Sequence, residues 1–429
     1  KAGGTVSSAP AGAAPGAGDP VIASVTSPVA GDVSFTPTPD ASEAGFHVLG
    51  SGFQISAPSA TPSAPLVVTF QIAASLLPAG TTASDVMVFR DGAAVAPCTS
   101  SSSTSAAPDP CVLPPEVGGD VITYTVLSSH ASSWALGTPA SVRLAGADRE
   151  ATAIAVSAAS YGPGDAEAVV LARADNYPDA LAGAALAAAQ NAPVLLTSPS
   201  GLDAPVAAEL QRVLPAGGTV YLLGGTSALS AGVARDVAGL GYHVTRVAGA
   251  DRFATAVAVA QAAGSPAGIL LTTGDDFPDA LAGAAAVGPS RVILLTDGRV
   301  MPAVTRAYLD AHPVPVWAIG GPAAAADPSA TPLVGADRYA TAALVAQDLF
   351  SGPAVAGLAT GLAFPDALAA GPRLARLGGP LLLTDPATLA PAAAAYLTST
   401  GATLGRLEVY GGPAALSDGV EQAAGALVG

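Results

Sequence analysis

The sequence predicts a multi-domain chain: an N-terminal all-β domain of immunoglobulin-like sandwich type, then three α/β modules. Three observations predict it. Between Val21 and about Gly137 the chain breaks into short alternating or β-branched runs separated by turns, with no long helical pattern between them. After Ser141, apolar β-like runs alternate with Ala-rich helical runs, the pattern of parallel strands joined by right-handed crossovers. Within that second part four phrases recur in the same order three times.

Composition agrees. Of 429 residues, 50% are hydrophobic but only 5% aromatic, so the cores are built mostly from Ala and Val. Such a chain is too apolar for disorder. Charged residues make up 11% and sum to a formal net charge of -16; Lys1 is the only lysine. A diffuse negative field excludes non-specific nucleic-acid binding, which depends on Lys/Arg counterion release. Mean hydropathy is +0.50, yet long uncharged stretches such as Ala180 to Leu202 are broken, here by Gln190, Asn191, Pro193 and Pro199. No membrane span of about 20 apolar residues is expected. The start at Lys1 shows no basic segment followed by an apolar one, so a mature form with its export signal removed is expected.

Residues 1–19 are rich in Ala, Gly, Pro and Ser and read as a flexible leader. The β-domain is assigned to 20–137, with turns at Asp91-Gly92 and Gly118-Gly119-Asp120, and a linker to 138–142. Cys98 and Cys111 lie thirteen positions apart in a Ser/Pro-rich segment without a nearby His or further Cys, so no metal site is expected. Two free thiols are one reading. A disulfide between neighbouring strands is the one adopted; it would contribute roughly 3 kcal/mol and imply an oxidising, extracellular compartment.

The recurring phrases are GADREATA at 146, GADRFATA at 249 and GADRYATA at 335, then YPDALAG, FPDALAG and FPDALAA at 177, 277 and 364. Apolar runs closing at Thr197, Thr296 and Thr384 follow, and then strands ending in the Gly pairs 224–225, 320–321 and 411–412. The period is 103 residues from Asp148 to Asp251 and 86 from Asp251 to Asp337, too long for a solenoid. The repeats are placed at 143–245, 246–332 and 333–429. The second is shortened: after its Gly pair it has only PAAAADPSATPLVG, where the first has a helix and a strand, so it is expected to lack that helix. With few charges to cover three Ala-rich surfaces, the modules should pack as one body.

Over residues 143 to about 425 the chain resembles the cell wall binding repeat 2 family of Gram-positive surface-layer and wall-associated proteins. The resemblance implies Rossmann-like or Toprim-like modules in a pseudo-threefold arrangement. It implies non-covalent anchoring to an anionic secondary cell-wall polymer through clefts between modules, at the cell surface. It leaves the cleft at the shortened repeat open to question. The expected function is a non-catalytic wall-anchored protein with no cofactor. The alternative is a self-assembling surface-layer or filament subunit whose β-domain and leader mediate contacts.

The phrases also start helices. Asp148, Asp251 and Asp337 suit N-caps, while Asp179, Asp279 and Asp366 follow a Pro fitted to the first helical position. Capping would account for all six aspartates; lining the inter-module clefts is the functional reading beside it. Arg149, Arg252 and Arg338 sit where a cation is mildly unfavourable, so something anionic should face each one. A Pro-Asp aspartate of the same or a neighbouring module and a phosphate or carboxylate of the polymer are the candidates. His47, His130, His243 and His312 do not recur at equivalent places, and no Gly pair continues as a nucleotide-binding loop, so no catalytic residues are assigned.

Overall fold

Leu66, Val68, Phe70 and Ile72 alternate with more exposed neighbours, and that period of two turns one face of a strand inward. It belongs to a computed structural model describing residues 1–16, 18–39, 45–78, 81–401 and 403–428. Ala17 of the expected leader, residues 40–44 and 79–80 of the β-domain, and residues 402 and 429 of the third repeat lie outside the described residues. The chain divides into two compact units, 1–140 and 141–428.

Unit 1 is built from β1 (Gly4–Ser7), β2 (Val21–Ser27), β3 (Ser34–Thr38), β4 (Phe46–Val48), β5 (Gly52–Ser56), β6 (Leu66–Ala73) and β7 (Met87–Arg90). It continues with β8 (Ala93–Ala94), β9 (Ala96–Pro97), β10 (Cys111–Val112), β11 (Glu116–Gly118), β12 (Val121–Ser128) and β13 (Ser133–Pro139). One sheet runs β1-β2-β6-β12-β10-β9 with β11 paired to β12, and the other β3-β5-β13-β7-β8 with β4 paired to β13. Pairing is antiparallel except between β9 and β10. Phe70 and Tyr124 from the first sheet meet Phe53, Val88 and Trp134 from the second in a shared core. Cys98 and Cys111 are joined, with Cα atoms 4.8 Å apart.

Two expectations change here. The leader contains a strand: Gly4–Ser7 pairs with β2, and the Thr5 and Thr26 hydroxyls meet at 2.7 Å. The linker at 138–142 is not loose, because Thr138 and Pro139 pair with His47 and Phe46, and a strand of unit 2 begins at Ser141.

Unit 2 opens with β14 (Ser141–Leu144). Module 1 follows as α1 (Arg149–Ser160), β15 (Ala168–Arg173), α2 (Gly183–Ala189), β16 (Val194–Thr197), α3 (Ala204–Val213), β17 (Thr219–Leu223), α4 (Ala231–Gly239) and β18 (His243–Val247). Module 2 is α5 (Arg252–Ala263), β19 (Gly268–Thr273), α6 (Pro278–Ala285), β20 (Arg291–Thr296), α7 (Ala303–Ala311), β21 (Val316–Ile319), α8 (Gly321–Ala326) and β22 (Thr331–Leu333). Module 3 is α9 (Arg338–Leu349), β23 (Val355–Thr360), α10 (Pro365–Leu377), β24 (Leu381–Thr384), α11 (Pro391–Thr400), β25 (Arg406–Tyr410) and α12 (Asp418–Gly425). The shortened repeat therefore keeps its helix, cut to the six residues of α8, because PAAAA follows the Gly pair directly and Pro322 fits the first turn.

Each sheet is four-stranded and parallel, ordered β16-β15-β17-β18 in module 1 and β20-β19-β21-β22 in module 2. Strands such as β19 are buried along their whole length, as expected where helices cover both faces. The third sheet is β24-β23-β25-β14. Its fourth strand comes from the segment before module 1, so β14 pairs in parallel with β25 and closes the ring. The strand that opens each sequence repeat thus completes the preceding module's sheet.

One apolar cluster takes residues from all three modules, including Leu186, Leu281 and Leu368. Around it α2, α6 and α10 pack against one another. A Cβ at Gly371 of α10 would lie 2.7 Å from that of Ala284 on α6, which accounts for the small residues there. At the start of these helical segments Tyr177, Phe277 and Phe364 meet edge to face, with ring centroids 5.5–5.9 Å apart.

Candidate functional site: three clefts between modules

Each Gly-Ala-Asp-Arg phrase forms one compact turn. The carboxylates of Asp148, Asp251 and Asp337 accept from the amides of Ala151, Ala254 and Ala340 at 2.8 Å, so all three cap helices. The threonine three residues beyond each arginine folds back. Oγ1 of Thr152, Thr255 and Thr341 accepts from the amides of Gly146, Gly249 and Gly335 at 3.1 Å. Those glycines pass so close to the helix that a Cβ would overlap Ala151, Ala254 or Ala340. The threonines were missed from sequence, although their recurrence was visible.

The motif arginines turn back over their own modules. The Nη1 of Arg149, Arg252 and Arg338 donates to the carbonyls of Ala174 (2.7 Å), Gly274 (2.5 Å) and Gly361 (2.6 Å), just past β15, β19 and β23. Across the module boundary, Arg338 lies 3.5 Å from Asp276, three residues before Asp279, and Arg149 stands 5.8 Å over the ring of Phe364. The ion-pair partner of Arg338 is thus Asp276, and the Pro-Asp aspartate Asp279 lies close enough to feel the same charge.

The Pro-Asp aspartates pack against the Gly pairs. Gly224, Gly320 and Gly411 have φ of +87°, +86° and +99°, and a Cβ on any of them would overlap the carboxylate of Asp179, Asp279 or Asp366. Pro278 and Pro365 begin α6 and α10 as expected. In the first copy the helix begins only at Gly183; the amide of Ala180 bonds back to Tyr177 and that of Gly183 to Ala180, a tighter turn that leaves Asp179 ahead of the helix.

The same phrases recur at three boundaries between modules. At the first, Asp179 packs on Gly224, whose amide donates to the Val247 carbonyl just before the Asp251–Arg252 turn; at the second, Asp279 shares one cavity with Asp337 and Arg338. The third brings Asp366 to Asp148 and Arg149. In the third, burial pushes the Asp366 carboxyl above its ordinary range, against a hydrogen bond from Thr152 and the charge of Arg149. In the second, burial and then the charge of Asp276 raise Asp279 to about 6, with Arg338 opposing. That cleft holds a cavity of about 210 Å³ lined by both modules, so shortening the repeat has not closed it.

Arginines before two of the phrases brace the Gly turns. Arg246 donates to the carbonyls of Gly224 (2.8 Å) and Gly225 (3.1 Å), and Arg143 to those of Gly411 (2.8 Å) and Leu416 (2.9 Å). In the second module Pro332 holds the equivalent place, opposite Ala318. Among the described residues no group of three His, Cys, Asp or Glu is arranged to hold a metal ion, and no helix is long and apolar enough to cross a membrane.

The cell wall binding domain 2 (CWB2) family model matches residues 143–234, 246–328 and 333–421. The chain is 27% identical over 251 residues to N-acetylmuramoyl-L-alanine amidase LytC of Bacillus subtilis (strain 168), covering 57% of this chain and 50% of that protein. It is 34% identical over 89 residues to the uncharacterized protein PH0614 of Pyrococcus horikoshii, covering 20% of this chain and 27% of that one. The chain therefore spans half or less of these relatives. Among solved structures, Cwp6 and Cwp8 from Clostridium difficile share the fold, each with a TM-score of 0.62, at 17% and 18% identity. The alignments cover 93% and 95% of this chain, and 68% and 88% of theirs.

Proposed function

We propose that this chain, which belongs to the cell wall binding domain 2 family and is a cell-wall or cell-surface protein, is held there by its three inter-module clefts, which recognise a secondary wall polymer. The observation that carries the reading is the recurrence of one arrangement from the same phrases: a capped turn bearing an arginine, set against a half-buried aspartate and a bare Gly backbone at the boundaries of modules 2 with 3 and 3 with 1. Polar side chains converging on a concave, preformed junction suit ligand binding. Three copies on one rigid ring suit a repeating polymer, because each added contact acts at high effective concentration.

The 2-1-3-4 parallel strand order fits Rossmann-like modules, and the two-sheet unit 1 fits an immunoglobulin-like sandwich. The amidase relative shares only the repeats. Its chemistry stays with the rest of that protein, and we read this chain as a binding protein. The arginines favour an anionic polymer. Co-sedimentation of the full chain with purified walls, before and after extraction of the secondary polymer, tests the reading. Retention should fall at least tenfold on extraction. Equal retention on stripped walls would refute it, and ordered lattices of the concentrated protein by electron microscopy would favour a self-assembling subunit instead.

A further inference from the structure

We propose that the cleft between modules 2 and 3 is a proton-gated anion subsite, in which an anionic group of the polymer seats beside Arg338 once Asp279 is protonated. The proposal rests on the polymer-binding reading and adds its regulation.

The cavity of about 210 Å³ is bounded by Asp276, Asp279, Gly320, Gly335, Arg338 and Thr341. Arg338 is the cation facing it. One arm of its guanidinium is tied to the Gly361 carbonyl, and the other lies 3.5 Å from Asp276, a loose ion pair with both side chains partly exposed at 34% and 52%. Such a pair contributes little and yields readily to a better-placed anion.

Among the described residues, the charged groups facing Asp279 come from two elements. Asp276 approaches from the loop before α6, and Asp337 and Arg338 from the start of α9. The α8 side offers only the backbone of Gly320 and Gly321. Asp337 is occupied as a cap for Ala340, and Thr341 by the Gly335 amide. With Asp279 ionised, three carboxylates surround one guanidinium, and an arriving anion meets net repulsion. A proton on Asp279 removes the most buried of those charges and leaves an O–H donor pointing at the same space. The crowding that repels the anion also makes that proton easy to add: burial and Asp276 bring the carboxyl to about 6. The shortened repeat contributes too, since Pro332 replaces the arginine that braces this Gly turn in the other modules and would place a second cation nearby.

For a site competent only when Asp279 is protonated, apparent affinity scales with the protonated fraction. That fraction rises about thirtyfold between pH 7.5 and pH 5 for a group titrating near 6. The test is calorimetric titration of the full chain with a phosphodiester-bearing wall-polymer fraction, whose charge is constant over this range. The wild type should bind up to about thirtyfold more tightly at pH 5. Asp279→Asn should bind at pH 7.5 as the wild type does at pH 5, with a flat profile. Asp276→Asn should keep the slope but move its midpoint to lower pH, which a merely structural role would not do. A wild-type profile that is flat or weakens on acidification, or an Asp279→Asn protein that retains the slope, would overturn the gate while leaving polymer binding intact. No binding at any pH would overturn the polymer reading itself.

Discussion

Replacing Glu408 by Gln should loosen the ring where module 3 meets module 1. Glu408 is fully buried on β25. Its carboxylate accepts both arms of Arg373 at 2.7 Å, the Tyr410 hydroxyl at 2.6 Å and a contact from Arg406. Arg373 continues across the boundary to the carbonyl of Ala159 (2.5 Å) and the Ser160 hydroxyl (3.1 Å) at the end of α1. Burial works against the charge on Glu408, but Arg373 and then Arg406 and Tyr410 hold its carboxyl below the ordinary range. The amide keeps the shape and removes the charge, leaving the buried Arg373 guanidinium without its counter-charge. Breaking a buried pair in this way costs about 3–5 kcal/mol, or roughly 10 °C in the melting of a unit this size. Trp134 lies in unit 1 and Trp317 in unit 2, so fluorescence melting in a Trp134→Phe background reports unit 2. Because the folded carboxyl is depressed, its contribution is present above the unfolded value near 4.3 and is lost as pH falls through the folded one. The Glu408→Gln loss should therefore shrink in acid. A loss below about 1 kcal/mol at pH 7 would refute the view that this network fastens the ring.

Three further outcomes follow. Gly335→Ala should destabilise unit 2 by about 1–3 kcal/mol in denaturant titration, because its Cβ meets Ala340 and cannot be relieved by a rotamer change. Mass spectrometry of non-reduced, alkylated protein should find Cys98 and Cys111 unlabelled, and replacing both by Ser should cost roughly 3 kcal/mol in unit 1 alone; two labelled thiols would remove the oxidised bond. Arg149→Ala, Arg252→Ala and Arg338→Ala together should abolish retention on walls while the fold survives, each removing one strand-end hydrogen bond worth about 1 kcal/mol; full retention by the folded variant would confine these arginines to packing.

What the sequence revealed was what recurs. Helix caps, Pro-started helices and parallel apolar strands are local patterns, and three copies made them legible. Features that depend on distant partners were hidden. The four residues of β14 precede the first phrase, and nothing local says that they pair with β25, more than 260 positions away. The Glu408 network occurs once, so no repetition marks it: Tyr221 and Trp317 hold the equivalent strand positions. In the leader, composition masked the short run Thr5-Val6 that finds an edge at β2. The cleft was only half legible. Its aspartates and arginines stand out as charges in a chain with few, but nothing local in the sequence marks the threonines whose hydroxyls hold the glycine turns.

Hydrogen–deuterium exchange of the full chain, with and without soluble wall-polymer fragments, tests the central claim most directly, because the clefts are made of backbone turns whose amides report occupancy. The account predicts slowed exchange in paired segments: 178–182 with 249–255, 276–280 with 335–341, and 363–368 with 146–152. Protection confined to unit 1, or to the far ends of α2, α6 and α10 with the three turn pairs unchanged, would contradict it.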